Sequence, residues 1–280
     1  MHMKLQSLLI TSTLAVSVAC HSASSVERTG DFHPTSVSEE EFKAMHTPPS
    51  NVAPKRLGQR VQLGGTSAYL SIPAGQSAPM PGVVVIHEWW GLNESIEHWA
   101  DRIAAEGYAA IAVDLYGGLV AKDANQASEA MKSVDRERAI ATMKSAVKFL
   151  ENDPRILATR TASVGWCFGG AQSLNLALSE PSLDAAVIYY GRLETDPAKL
   201  AAVNAKVLGI FGTRDKSIPI TDIMKFEAGL REAGKSVTIE QYDAEHAFAN
   251  PSSARYDQGS AADAWQKTRA FLKSALTDAR

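Results

Sequence analysis

The chain has 280 residues, 45% of them hydrophobic and 21% charged, which is enough apolar material for one large core and within the range of undivided α/β domains. A formal net charge of −3 offers no basic surface for nucleic acid, and two cysteines exclude a disulfide framework. The expected partner is a small molecule, met by a monomer.

Taken in chain order, Lys4, the mostly apolar stretch Leu8 to Ala19 and the small residues Ser17-Val18-Ala19 read as a signal peptide over residues 1–19, too short to span a bilayer. Export to the periplasm or the medium is expected. Cleavage after Ala19 leaves Cys20 first, as in bacterial lipoproteins, although Ser17 stands where their recognition sequence has an aliphatic residue. A soluble exported form leads, with a lipid anchor at Cys20 as the open alternative. Residues 20–58, rich in Ser, Thr, Pro and Glu with a short amphipathic piece around Glu39 to Met45, read as a tether or surface strap.

The catalytic domain is expected over residues 59–280. Gln59 to Leu63 and Ser67 to Ile72 form a hairpin turning at Gly64-Gly65, and the continuous apolar run Gly82 to His87 is typical of a buried parallel strand. Asn93 caps a helix to Ala105 that Gly107 ends. Next come a strand at Tyr108 to Val113, helices at Ala124 to Val134 and Arg136 to Leu150, and a strand at Thr161 to Val164. A helix follows at Ala171 to Leu178, with strands at Leu183 to Tyr189, Ala205 to Phe211 and Ser236 to Tyr242, and a last helix from about Asp257 to Leu276. Alternation of this kind predicts an α/β fold with a mostly parallel central sheet and helices on both faces. Functional loops then gather at the carboxyl ends of the strands.

Between the strand ending at Val164 and the helix opening at Ala171 lies Gly165-Trp166-Cys167-Phe168-Gly169-Gly170. Glycine two residues before and two after the central residue is what a strained strand-to-helix nucleophile turn requires, here with a thiol. The run does not fit a dinucleotide fingerprint, which needs a glycine where Cys167 stands. A nucleophile on such a turn is followed along the chain by an acid and then a histidine, each just after a strand. Gly212-Thr213-Arg214-Asp215 leaves one strand and Asp243-Ala244-Glu245-His246 leaves the next. Asp215 and His246 are therefore the candidate acid and base. An ordinary thiol titrates near about 8.5, so a neighbouring imidazole and a helix N-terminus are needed to make it nucleophilic at neutral pH.

Through His87-Glu88-Trp89-Trp90-Gly91, Asp114-Leu115-Tyr116, the cysteine turn, Gly212-Thr213-Arg214-Asp215 and His246-Ala247-Phe248, residues 59 to about 275 resemble the dienelactone hydrolase family of the α/β-hydrolase superfamily. The resemblance implies Cys167 as nucleophile, His246 as general base and acid, Asp215 as its orienting carboxylate, and Glu88 as a carboxylate that meets the resting thiol. A carboxylate there disfavours thiolate by like-charge repulsion. Backbone N–H groups of Phe168 and Trp89 are the expected oxyanion hole.

No cofactor is expected, and no metal, since H-E-x-x-H needs histidine where Gly91 stands. Trp90, Tyr116, Trp166, Arg192 and Asn250 are the candidate pocket residues. The arginines with which well-studied members bind a substrate carboxylate have no counterpart in Gly117-Gly118-Leu119 or at Asn250, leaving Arg192 or Arg214 as substitutes. The expected substrates are small esters, lactones or thioesters, with a non-catalytic ligand-binding member of the fold as the alternative. A thiol redox role lacks the C-x-x-C pair it needs.

Overall fold

The structure, a computed structural model, describes residues 37–46 and 56–277. The expected signal peptide, Cys20 and most of the segment 20–58 lie outside the described residues.

Eight strands form one sheet: β1 (Gln59–Leu63), β2 (Thr66–Ser71), β3 (Gly82–Ile86), β4 (Ala109–Val113), β5 (Thr161–Trp166), β6 (Ala185–Tyr189), β7 (Lys206–Gly212) and β8 (Val237–Tyr242). Their order is β1-β2-β4-β3-β5-β6-β7-β8. The hairpin turns at Gly64-Gly65, both with positive φ, and β2 runs antiparallel to β4. From β4 through β8 every pairing is parallel. This is the α/β-hydrolase fold.

Alternate residues of the central strands go to opposite faces, as the pleat requires. Val84 and Ile86 of β3 join the core under α4 (Arg136–Asn152), α5 (Phe168–Ser179) and α7 (Ile220–Glu232), with Met143, Leu150, Leu174 and Phe226. Val83 and Val85 join the opposite core, beneath α2 (Glu94–Ala105) and α8 (Gln258–Thr277), with Trp99, Trp166 and Trp265. The Asn93 side chain caps α2 by accepting the Ile96 N–H at 3.2 Å, and Gly107, at φ +96°, takes the chain out of it. α3 (Ala124–Lys132) is capped the same way by Asp123. The chain pattern did not show α6 (Pro197–Leu200), a single turn started by Asp196 and a proline at its first position.

The amphipathic piece ahead of the sheet is α1 (Glu39–His46). Its Phe42 is fully buried against Trp99, ring centroids 4.2 Å apart. Beneath it the buried Arg102 guanidinium lies 4.2 Å from the Phe42 ring and 4.4 Å from the Trp265 ring, and Glu39 of α1 pairs with it at 2.8 Å. Cation–π contact and a carboxylate partner together offset the cost of burying that charge. This part of the tether is a helix that contributes to the core.

Parallel register brings the strand ends level: Ile86 lies beside Gly165, Trp166 beside Tyr189, and Gly212 beside Tyr242. The loops carrying residues 87–90, 167, 190, 215 and 246 therefore leave the sheet along one edge. That shared edge is what assembles the site.

Candidate active site

Cys167 stands between β5 and α5 with φ +56° and ψ −115°, a conformation that costs about 1–3 kcal/mol for a non-glycine residue. The glycines around it are required by contact. A Cβ on Gly165 would sit 2.1 Å from the Gly169 carbonyl oxygen, and one on Gly169 would sit 2.3 Å from that of Ile86. The sulfur is thereby lifted onto the first turn of α5, where unsatisfied N–H groups favour negative charge. Helix α5 begins at Phe168, three residues earlier than the apolar pattern indicated, because Cys167 itself occupies the cap position.

His246 Nε2 lies 3.1 Å from Cys167 Sγ, and its Nδ1 lies 2.7 Å from Asp215 Oδ2. Asp215 is buried, and its other oxygen accepts the Ser217 N–H at 2.7 Å. Burial works against a charged His246, but the bond to Asp215 and the contact with the sulfur outweigh it and raise its pKa to about 10. Burial likewise works against the Asp215 carboxylate, and His246 together with the Ser217 and Ile218 N–H groups overcomes it, leaving the carboxyl below its ordinary value. The arrangement favours a charged imidazole beside the Asp215 carboxylate.

Position 168 is the first of α5, where an N–H has no acceptor within the helix. Among the described residues the Trp89 N–H is also unpaired. Both are available as oxyanion donors.

Glu88 is buried. The resemblance places its carboxylate against the resting thiol; here it accepts from Asn250 Nδ2 instead, and the partner of the sulfur is His246. Position 250 supplies an amide donor aimed at Glu88, which accounts for the difference. Burial pushes the Glu88 carboxyl up to about 7, against the opposing effects of Asn250, His246 and Tyr190.

The remaining candidates divide. The Tyr116 ring packs edge-on against His87, centroids 4.6 Å apart, and lies 5.5 Å from Phe168, walling the site from the β4 side. Trp90 is half-buried and meets Trp89 at 5.0 Å. Trp166 is not a pocket residue: it points away from the site into the core, 1% exposed, stacked 4.4 Å from Trp99. Its place on a strand, one residue before the turn, sends it to that face. Arg192 is exposed, and no contact ties it to Cys167, Asp215 or His246. Arg214 is turned outward to Asp243 at 3.0 Å.

Two contributors escaped the sequence pattern. His87 is fully buried; its Nε2 accepts the Leu115 N–H at 3.1 Å, so Nδ1 carries the proton donated to the Glu88 carbonyl at 2.6 Å. Burial holds its pKa down to about 4, and the neutral ring ties the loop after β3 to the loop after β4. Asp114 fixes the second of these loops by accepting the N–H groups of Tyr116 and Gly118. The other contributor is Tyr190, just after β6, buried beneath His246 with ring centroids 5.1 Å apart. The position after a strand, the signal that located Asp215 and His246, also marks Tyr190.

Residues 66–276 match the model of the dienelactone hydrolase family. A protein of Escherichia coli K12 named a candidate carboxymethylenebutenolidase is 32% identical over 232 residues, covering 74% of this chain and 81% of its own length. A protein of the same name from Methylorubrum extorquens is 30% identical over 228 residues, covering 76% and 78%. Among solved structures, a dienelactone hydrolase-like promiscuous phosphotriesterase from metagenomic libraries superposes with a TM-score of 0.73 at 25% identity, covering 78% of this chain and 98% of its own. A cysteine turn, an ordered acid and histidine, and a family match over three quarters of the sequence converge: this chain is a hydrolase that belongs to the dienelactone hydrolase family.

Proposed function

We propose that the enzyme hydrolyses small carboxylic esters, lactones or thioesters through an acyl-cysteine intermediate. The observation that carries this reading is the unbroken line from Cys167 Sγ to His246 Nε2 at 3.1 Å and from His246 Nδ1 to Asp215 at 2.7 Å. His246 takes the thiol proton, the sulfur then adds to the substrate carbonyl carbon, and the oxyanion forms against the Phe168 and Trp89 N–H groups. Collapse breaks the bond to the leaving oxygen or sulfur, which receives the proton from His246. Water, deprotonated by His246, then attacks the thioester, and departure of the Cys167 sulfur releases the acid. Asp215 holds the Nδ1–H tautomer throughout.

The relatives named for carboxymethylenebutenolidase support an ester or lactone bond as the target. The test is p-nitrophenyl acetate hydrolysis by the wild type, Cys167→Ala and His246→Ala, with iodoacetamide treatment as a further arm. Activity confined to the untreated wild type supports the mechanism. Hydrolysis that persists in all arms overturns it, and an inert wild type across an ester and lactone panel favours a ligand-binding protein. The leader-like segment 1–19 further supports export, which cell fractionation tests.

A further inference from the structure

We propose that Asn250 and Tyr190 are positioning residues that hold the Glu88 carboxyl off the Cys167 sulfur, so that the thiolate–imidazolium pair survives when Glu88 ionises. This rests on the cysteine mechanism above.

The Asn250 amide has its orientation fixed. Its Oδ1 accepts the Ser252 N–H at 2.8 Å, so Nδ2 is the group left to face Glu88 Oε2. Its backbone N–H is bound to the Ala247 carbonyl at 3.1 Å, which ties it to the loop carrying His246. Tyr190 approaches from the end of β6. Its ring is clamped between those of His246 and Phe248, at 5.1 and 5.6 Å, and φ is +36°. Its hydroxyl is buried without a hydrogen-bond partner among the described residues, and the effect of Tyr190 on Glu88 is to favour the charged carboxylate. A buried donor with no partner of its own is the second support we assign to that carboxyl.

The groups acting on Glu88 are thus Asn250 and His246 from the loop after β8 and Tyr190 from the end of β6, and His246 in turn meets Cys167 and Asp215. The neighbouring His87 is neutral. Below pH about 7 Glu88 carries its proton and does not oppose a thiolate. Above it the carboxylate is a second anion in the pocket of the sulfur. Bound to the Asn250 amide, its charge is spent on that donor; released, it competes with His246 for the thiol proton and disfavours the thiolate.

The experiment is the rate of iodoacetamide alkylation of Cys167 at about pH 5.5 and about pH 8 for the wild type, Asn250→Ala, Tyr190→Phe, Glu88→Gln and Glu88→Gln/Asn250→Ala. At the lower pH the Asn250 variant should match the wild type. At the higher pH, where the carboxyl has lost a donor that held its pKa down and is ionised only in part, it should react severalfold and at most about tenfold more slowly, and Gln at position 88 should abolish the drop. Tyr190→Phe should move the same way without touching the Ser252 turn, and it carries the test if Asn250→Ala does not fold. Wild-type reactivity at about pH 8, or a drop that persists with Gln at position 88, overturns the proposal. Failure of the cysteine mechanism itself is read separately, as ester hydrolysis by Cys167→Ala.

Discussion

Asp215→Asn is expected to cost far more than its one-atom change implies, because the structure dictates how the new amide must sit. Asp215 Oδ1 accepts the Ser217 N–H at 2.7 Å and Oδ2 faces His246 Nδ1 at 2.7 Å. An asparagine keeps its oxygen on the Ser217 N–H, since the reverse places donor against donor. Its NH2 then points at His246 Nδ1 and forces the proton onto Nε2, the nitrogen 3.1 Å from the sulfur, which can no longer accept the thiol proton. The carboxylate charge that raises His246 to about 10 is lost as well. A wrong tautomer and a missing anion together cost about ten-thousand-fold in kcat, or about 5 kcal/mol of barrier. Asp215→Ala leaves both tautomers open and should lose less, about a hundred- to thousand-fold. KM should change little in either, because Asp215 is buried behind the imidazole. Steady-state p-nitrophenyl acetate hydrolysis, with thermal melting as the control for folding, reads both variants. An asparagine variant within tenfold of the wild type, or an alanine variant slower than the asparagine one, refutes the tautomer argument.

Gly169→Ala should abolish activity and lower stability by about 1–3 kcal/mol or more, because its Cβ meets the Ile86 and His87 carbonyl oxygens at 2.3 and 2.6 Å, both backbone atoms; a folded, active variant in urea unfolding and ester assays would contradict this. Phe42→Ala should destabilise by up to about 3–5 kcal/mol as a core Phe truncation, or by less if α1 undocks as a unit, and trypsin should then cut at Lys43 faster; an unchanged urea midpoint and cleavage rate would deny α1 its place in the core. Glu88 supplies a pH dependence of stability. Its carboxyl is raised from 4.5 to about 7, so its contribution is fully present below pH about 4.5 and lost as pH rises through about 7. Glu88→Gln keeps an acceptor for Asn250 and should gain up to about 3 kcal/mol on the wild type between those limits; parallel stability curves across that range would refute the assignment.

The sequence made most elements legible because their signals are local. Asn93 and Gly107 bound α2 as caps do, and the apolar run of β3 needed no partner to be read. The nucleophile turn was legible because its two glycines answer to contacts within a few residues and the β3 end. Long-range contacts were not legible. The hairpin joins the sheet through β4 rather than β3, a pairing that no local periodicity encodes. Trp166 appears in the turn motif, yet the pleat sends it into the core; whether it faces the site or the core depends on the strand reaching one residue past Gly165. The Glu88 partner lies 162 residues away along the chain, so its placement could only come from the fold. The sequence of α1 shows no more than a short amphipathic piece, because its single buried phenylalanine and its glutamate acquire meaning only against Arg102, Trp99 and Trp265.

Four described residues other than glycine have positive φ: Leu157, Cys167, Tyr190 and Ala247. Three of them follow the carboxyl ends of β5, β6 and β8, and each is a reactive or supporting residue of the site or adjoins one. Cys167 meets His246 Nε2, Tyr190 packs against the His246 ring, and Ala247 turns the chain directly after His246. Strain of about 1–3 kcal/mol per position is tolerable only where surrounding structure over-determines the backbone. The parallel ladder does so, since Cys167 N–H is bound to the Tyr189 carbonyl at 3.0 Å and Tyr190 N–H to the Ile210 carbonyl at 2.8 Å. The ladder thus continues one residue past β5 and β6 and locks the strained residues in register with one another. A sheet whose hydrogen bonds extend into the turns can hold sulfur, imidazole and the Asp215 carboxyl at contact distance without a search through loop conformations. For that reason a backbone change such as Gly169→Ala, which touches no reacting atom, is expected to be as damaging to turnover as the loss of a triad side chain.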